Sequence, residues 1–244
     1  MGRLIAFFLA VFALPAFADS GVGVDRPDTP VLIVDRQDNA IAMFVTMPAT
    51  QLSTVFATGA ESMLDAEGTI DIDRLYDGTY LLADEIFSKV DSSLAGEDVV
   101  FEAMSMMVHD PAILPPFRDP WDGQTSIAVC TSPETVDNLP LGPLQAYLGY
   151  FAYDVSGNAE LSLTLPETGR DAVDIEVRQF WNGEPYDTQV VSLSDGGTLQ
   201  LTEVSGVPAA TSTGGLAAVL TVLALSAGGL GYLRMRGAPI PSNT

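Results

Sequence analysis

From Gly214 to Leu233 the chain runs for about twenty residues without a charge, and Arg234-Met235-Arg236 follows. A stretch of that length and composition crosses a bilayer core as a helix. The folded body must therefore be built from what precedes it. The other end is constrained in the same way. Arg3 leads into an apolar core, Leu4 to Leu14, that is too short to span a membrane. Pro15 ends it, and Ala16-Phe17-Ala18 places small residues where a signal peptidase reads. This is the order of a secretory signal peptide over residues 1–18, cleaved before Asp19. Export followed by stop-transfer puts residues 19–213 outside the cytoplasm and leaves Arg234 and Arg236 inside. The expected protein is a single-pass inner-membrane protein with a periplasmic or extracytoplasmic body, a transmembrane helix over 214–233 and a cytoplasmic tail over 234–244.

Charge limits the partners of that body. All 32 acidic residues of the chain lie between Asp19 and Glu203, with seven of its ten basic residues. A surface of this sign does not hold a phosphate backbone, so nucleic acid is excluded as a partner. The carboxylates are spread along the chain rather than massed in a block, as in an exported protein kept soluble by its charge. A surface that collects divalent cations or a basic partner is the alternative. The single cysteine, Cys130, precludes an intramolecular disulfide. It ends the apolar run Ser126-Ile-Ala-Val-Cys130 and reads as a small core residue. A catalytic thiol would need a histidine; the chain has one, His109, and no motif joins the two.

The body reads as an α+β N-terminal half followed by an all-β, sandwich-like half. Residues 19–30 form a leader. Val31–Asp35 and Ala40–Thr46 are strand-like, with Arg36 to Asn39 as a hairpin turn. A helix starts near Pro48 with Thr50 as its cap, and a second is expected from about Thr79 to Leu94, where Leu81, Leu82, Ile86, Phe87 and Val90 recur at helical spacing. Val99–Val108 is a strand, which closes a first domain over 31–110. A Pro-rich connector over 111–124 leads to a second domain over 125–204. Its strands are Thr125–Thr131, Gln145–Val155, Ala159–Leu165, Val173–Trp181, Thr188–Leu193 and Thr198–Val204. Turn signals such as Asn182-Gly183 and Asp195-Gly-Gly197 separate them, and apolar and polar residues alternate along them. Residues 205–213 are a linker.

Three local patterns resemble known families. Asp65-Ala-Glu67-Gly68-Thr69-Ile70-Asp71 resembles the middle of an EF-hand calcium loop, where oxygen ligands surround a turn that glycine permits. The resemblance implies calcium ligation by Asp65, Glu67, the Thr69 carbonyl and Asp71. Met63 and Arg74 stand where the family carries its first aspartate and its bidentate glutamate, so either a weak site or a loop that only keeps the shape is expected. The order hairpin, Met-Pro helix, acidic turn, helix and strand over Val31–Asp110 is similar to the exported domain of HupE/UreJ-type membrane proteins. The C-terminal layout, Val207-Pro208, a Thr/Ser/Gly linker, a helix and Arg-Met-Arg, is similar to tails processed by exosortase-type proteases. By contrast, Leu165-Pro-Glu-Thr-Gly169 matches the sortase motif only in letters. More than forty residues separate it from the helix, most of them strand-forming, and Pro166 and Gly169 fit a turn between strands.

No G-x-S-x-G, metal-spaced histidine pair or glycine-rich phosphate loop occurs. The expected function is a membrane-anchored binding or accessory protein without catalysis or cofactor. The alternatives are an extracytoplasmic hydrolase using paired carboxylates or a calcium-supported site, and a surface protein processed at its C-terminal tail. Asp110, Arg118, Asp119, Trp121 and Asp122 form a polar and aromatic cluster suited to a partner contact or a rigid connector. In the membrane helix, Gly214/Ala218, Ala224/Gly228 and Ala227/Gly231 lie four residues apart, which lets a partner helix approach closely.

Overall fold

The computed structural model describes residues 28–113, 116–131 and 136–205. The expected signal peptide, most of the leader, the linker from residue 206, the transmembrane helix and the tail lie outside them. No helix among the described residues is long and apolar enough to cross a membrane.

The described chain is mixed α/β with two β-sheets. It opens with β1 (Val31–Gln37) and β2 (Ala40–Pro48), joined through Asp38-Asn39 so that Gln37 faces Ala40. A 3₁₀ turn at Ala49–Gln51 leads into α1 (Leu52–Phe56). Then come α2 (Ile72–Phe87), β3 (Asp91–Leu94), β4 (Glu97–Asp98), β5 (Glu102–His109) and α3 (Pro120–Ala128). The remaining strands are β6 (Gln145–Tyr153), β7 (Leu161–Thr164), β8 (Val173–Trp181), β9 (Glu184–Leu193) and β10 (Thr198–Leu201).

The larger sheet has the order β5-β6-β2-β1-β8-β9, and the smaller β10-β7-β3-β4. β1 lies at the centre, antiparallel to β2 and parallel to β8. Both of its faces are covered, which is why six successive residues, Val31 to Arg36, are buried and no alternation shows. One face, carrying Leu32, Val34, Met43 and Leu148, packs on α2 and on Leu161, Leu163, Leu199 and Leu201 of the smaller sheet. The other carries Ile33, Phe44, Tyr147 and Phe180 and receives Ile127 of α3.

The sheets run across the expected connector at 111–124. β2 and β5 of the first half flank β6 of the second, and β3 pairs with β7. The two halves complete each other's sheets and share one core. Thr125–Thr131 is corrected. It is not a strand: Thr125–Ala128 is the second half of α3, whose start is fixed by Asp119 as N-cap with Pro120 behind it, and Val129–Thr131 lie beyond the helix. The helix lies close on the sheet because Gly123 leaves room: a Cβ there would be 2.6 Å from Phe44 Cγ. The second helix begins at Ile72 rather than near Thr79, because Asp71 caps it by accepting the Asp73 and Arg74 N–H groups. It stops at Phe87, and Asp91–Leu94 becomes a strand. Thr50 makes no cap; no side chain caps the turn at Ala49 or α1.

Candidate functional site

The acidic loop is closed by its own hydrogen bonds. Asp65 Oδ1 accepts the Glu67 N–H at 3.0 Å and the Thr69 N–H at 2.8 Å, and Oδ2 accepts the Thr69 hydroxyl at 2.7 Å. These bonds, the Thr69 N–H first, hold the Asp65 carboxyl below its ordinary value. The Thr69 carbonyl accepts the Asp65 N–H. Asp71 points the other way, onto the first turn of α2, where it also meets Arg74 at 3.4 Å. Glu67 is exposed at the tip. Among the described residues no group of three His, Cys, Asp or Glu side chains could hold a metal ion.

His109 and Cys130 have opposite environments. His109 is 1 % exposed at the end of β5; its Nε2 lies 3.1 Å from the Ser126 carbonyl of α3, so Nε2 carries the proton. Its Nδ1 has no partner among the described residues. Burial pulls its pKa below the ordinary value, opposed by the Ser126 carbonyl. Cys130 is exposed, which corrects its assignment to the core. With α3 ending at Ala128, Cys130 lies on the irregular segment beyond the helix.

The cluster around Trp121 is a helix start. Asp119 Oδ1 accepts the Asp122 N–H at 2.8 Å, and Asp122 Oδ2 accepts the Arg118 N–H at 3.0 Å. Burial raises the Asp122 pKa, with the Arg118 N–H opposing it. Trp121 is 70 % exposed. Leu165-Pro-Glu-Thr-Gly169 is tied into the fold, with the Thr168 and Gly169 N–H groups both donated to Asp195 at 2.8 Å.

Two arginines stand out that the sequence reading did not single out. Arg36 is wholly buried between the sheets. Its Nη1 donates to the Ala159 carbonyl at 2.6 Å, and Nη2 to the Leu201 carbonyl at 3.3 Å and to Gln179 Oε1 at 3.4 Å. Gln179 in turn accepts the Tyr186 hydroxyl and donates to Asp187, each at 2.8 Å. This cation joins β1 to the chain entering β7 and to the end of β10, so its place is structural. The expected hairpin turn at Arg36 to Asn39 is corrected here: Arg36 lies within β1 and pairs with Ile41, a lone arginine closing an apolar run, which local periodicity cannot place.

Arg170 is different. It contributes to the wall of a solvent-open cleft of about 440 Å³ between α1 and the start of β8, with Gln51, Thr54, Val55, Asp171 and Val173. Its side chain is 3 % exposed, and Asp195 Oδ1 is 3.8 Å from Nη1. None of its three guanidinium nitrogens has a hydrogen-bond partner among the described residues. A volume of this size falls in the range of small-molecule sites. An apolar void of about 50 Å³ between the sheets is lined by residues such as Leu32, Met43, Val45 and Leu163 and has no polar surface. No protein-family model matches the sequence, and no curated protein shows significant similarity to it.

Proposed function

We propose that this chain is an exported binding or accessory module, tethered by one helix to the outer face of the inner membrane and acting without catalysis. The binding part of this reading rests on one observation. The cleft between α1 and β8 sets a concealed cation, Arg170, in a wall of mixed polar and apolar residues. Other buried ionisable groups support it by their occupation: Arg36 joins strands, Asp35 accepts the Gly183 N–H of the β8–β9 turn, and His109 ties β5 to α3. The tether and the export rest on the uncharged run 214–233 and on residues 1–18.

Two experiments test the halves separately. The full chain in detergent is screened against ester, phosphoester, peptide and glycoside substrates; no turnover is expected. Turnover that disappears with Asp171→Asn or Asp122→Asn would establish a carboxylate hydrolase instead. For the topology, Cys130 is both the only cysteine and exposed. A membrane-impermeant maleimide is expected to label it in intact spheroplasts, and labelling only after lysis would overturn the export.

A further inference from the structure

The ligand class of the α1–β8 cleft follows from the state of Arg170. A guanidinium has five N–H donors and stays protonated in proteins. Here its side chain is almost wholly withdrawn from water, yet Nε, Nη1 and Nη2 find no acceptor among the described residues. Asp195 does not supply one. At 3.8 Å its Oδ1 is beyond hydrogen-bond distance of Nη1. Nor is that carboxylate free to approach: Oδ1 holds the Thr168 N–H at 2.8 Å and the Thr168 hydroxyl at 3.3 Å, and Oδ2 holds the Gly169 N–H at 2.8 Å. Thr168 is anchored again through its hydroxyl to the Thr54 carbonyl at 2.8 Å. Removing a cation from water without hydrogen-bonded compensation is strongly unfavourable, so an acceptor that reaches this group gains what the fold leaves unmet.

We propose that the cleft binds a small monocarboxylate, met by the Arg170 guanidinium as it turns from beneath the wall toward the bound group. This deepens the binding-module reading and rests on it. The planar fork of arginine matches the two oxygens of a carboxylate in a bidentate pair. A single negative charge is favoured over a dianion because Asp171 stands in the same wall and the chain carries a net charge of −22. Ala172 and Val173, the accessible apolar residues of the lining, receive a short hydrocarbon part, and Thr54 and Gln51 are its neutral polar members.

The test uses the full chain in detergent with arginine side chains labelled for NMR. The Arg170 Nε–H signal is identified by its loss in Arg170→Lys. Butyrate is expected to shift this signal saturably with a Kd on the order of 1 mM, reasonable for so small a ligand. Butyramide, equal in shape and uncharged, is expected to leave it unmoved. Arg170→Lys is expected to weaken butyrate binding by about ten-fold, through loss of the bidentate pair. Thr54→Trp obstructs the cleft from an exposed position without touching the buried charge, so it keeps the test available if Arg170 variants fold poorly; it is expected to abolish binding. An equal response to butyramide, unchanged binding in Thr54→Trp, or no Arg170 response to butyrate overturns the proposal. Inorganic phosphate binding more tightly than butyrate overturns the carboxylate assignment and leaves the binding module standing. Substrate turnover in the screen described above overturns the binding module itself.

Discussion

Mild acidification should destabilise this protein through one residue. His109 is the only histidine, it is 1 % exposed, and its proton sits on Nε2 facing the Ser126 carbonyl. Protonating the ring would place a charge beside Tyr147, whose ring centroid lies 5.7 Å away, opposite Gln145 on β6, and near the Ser126 and Val129 carbonyls, which oppose the effect of burial without outweighing it. None of these is anionic, and Tyr147 is itself pushed up to about 12 by burial, so it offers no negative charge. The folded-state pKa is therefore depressed below 6.5, the unfolded value. A depressed histidine binds fewer protons folded than unfolded, so its contribution is complete above the unfolded pKa and is lost as pH falls below it. The loss between about pH 7.5 and about pH 5.5 is bounded at about 1.4 kcal/mol, the value of one pKa unit, which is the loss for an imidazole that stays neutral over that range. Denaturant midpoints at the two pH values measure it. Carboxylates titrate in the same scans; Asp35, raised by burial, contributes with opposite sign at lower pH. A His109→Gln variant, which keeps a donor for the Ser126 carbonyl, removes the imidazole alone. The wild type should lose more than this variant, by up to about 1.4 kcal/mol. Equal losses in the two proteins would refute the assignment of a buried neutral imidazole.

Gly157→Ala should lose about 3 kcal/mol in denaturant melts, because its Cβ would run into the Gln37 carbonyl and lie 2.9 Å from the Ala40 carbonyl oxygen, both backbone. Gly149→Ala should lose less, since the obstacle is the flexible end of Ile127. Val45→Ile, directed into the apolar void of about 50 Å³, should raise stability by about 0.5 kcal/mol and Tm by about 1–2 °C. Asp71→Ala removes the cap of α2 and should lose about 1 kcal/mol, while millimolar calcium should leave the wild-type Tm unchanged because Asp65 and Asp71 are engaged within the protein.

The strands were legible where local chemistry bounds them. β8 begins and ends at Val173 and Trp181 as its alternation indicates, because Asn182-Gly183 closes it with both residues at positive φ. The same turn carries β9 back to Glu184, four residues before the apolar stretch suggests. Non-local facts were not legible. Nothing near Val31 indicates that its neighbour is Glu176, and that parallel pairing removes the boundary between the halves. α3 was missed because Ser126 to Cys130 is apolar enough for a strand, while the informative residues, Asp119 and Pro120, precede it. Arg170 lies one residue beyond a glycine turn, where a charge is ordinary; its burial comes from α1, over a hundred positions away in the chain, as the Thr168 to Thr54 bond shows.

The central position of β1 also governs when this protein can fold. Its partner strand β8 lies late in the chain, and the contact of Arg36 with Gln179 spans 143 positions. Until β8 and the end of β10 have been synthesised, the strand at the middle of the sheet has one open edge and its arginine lacks most of its acceptors. Closure over so long a loop is slow and comes after the local hairpins. The sheet around β1 is therefore completed only when the rest has been made. A chain whose sheet closes this late is suited to the export proposed for it, since the folded body does not form before its C-terminal strands exist.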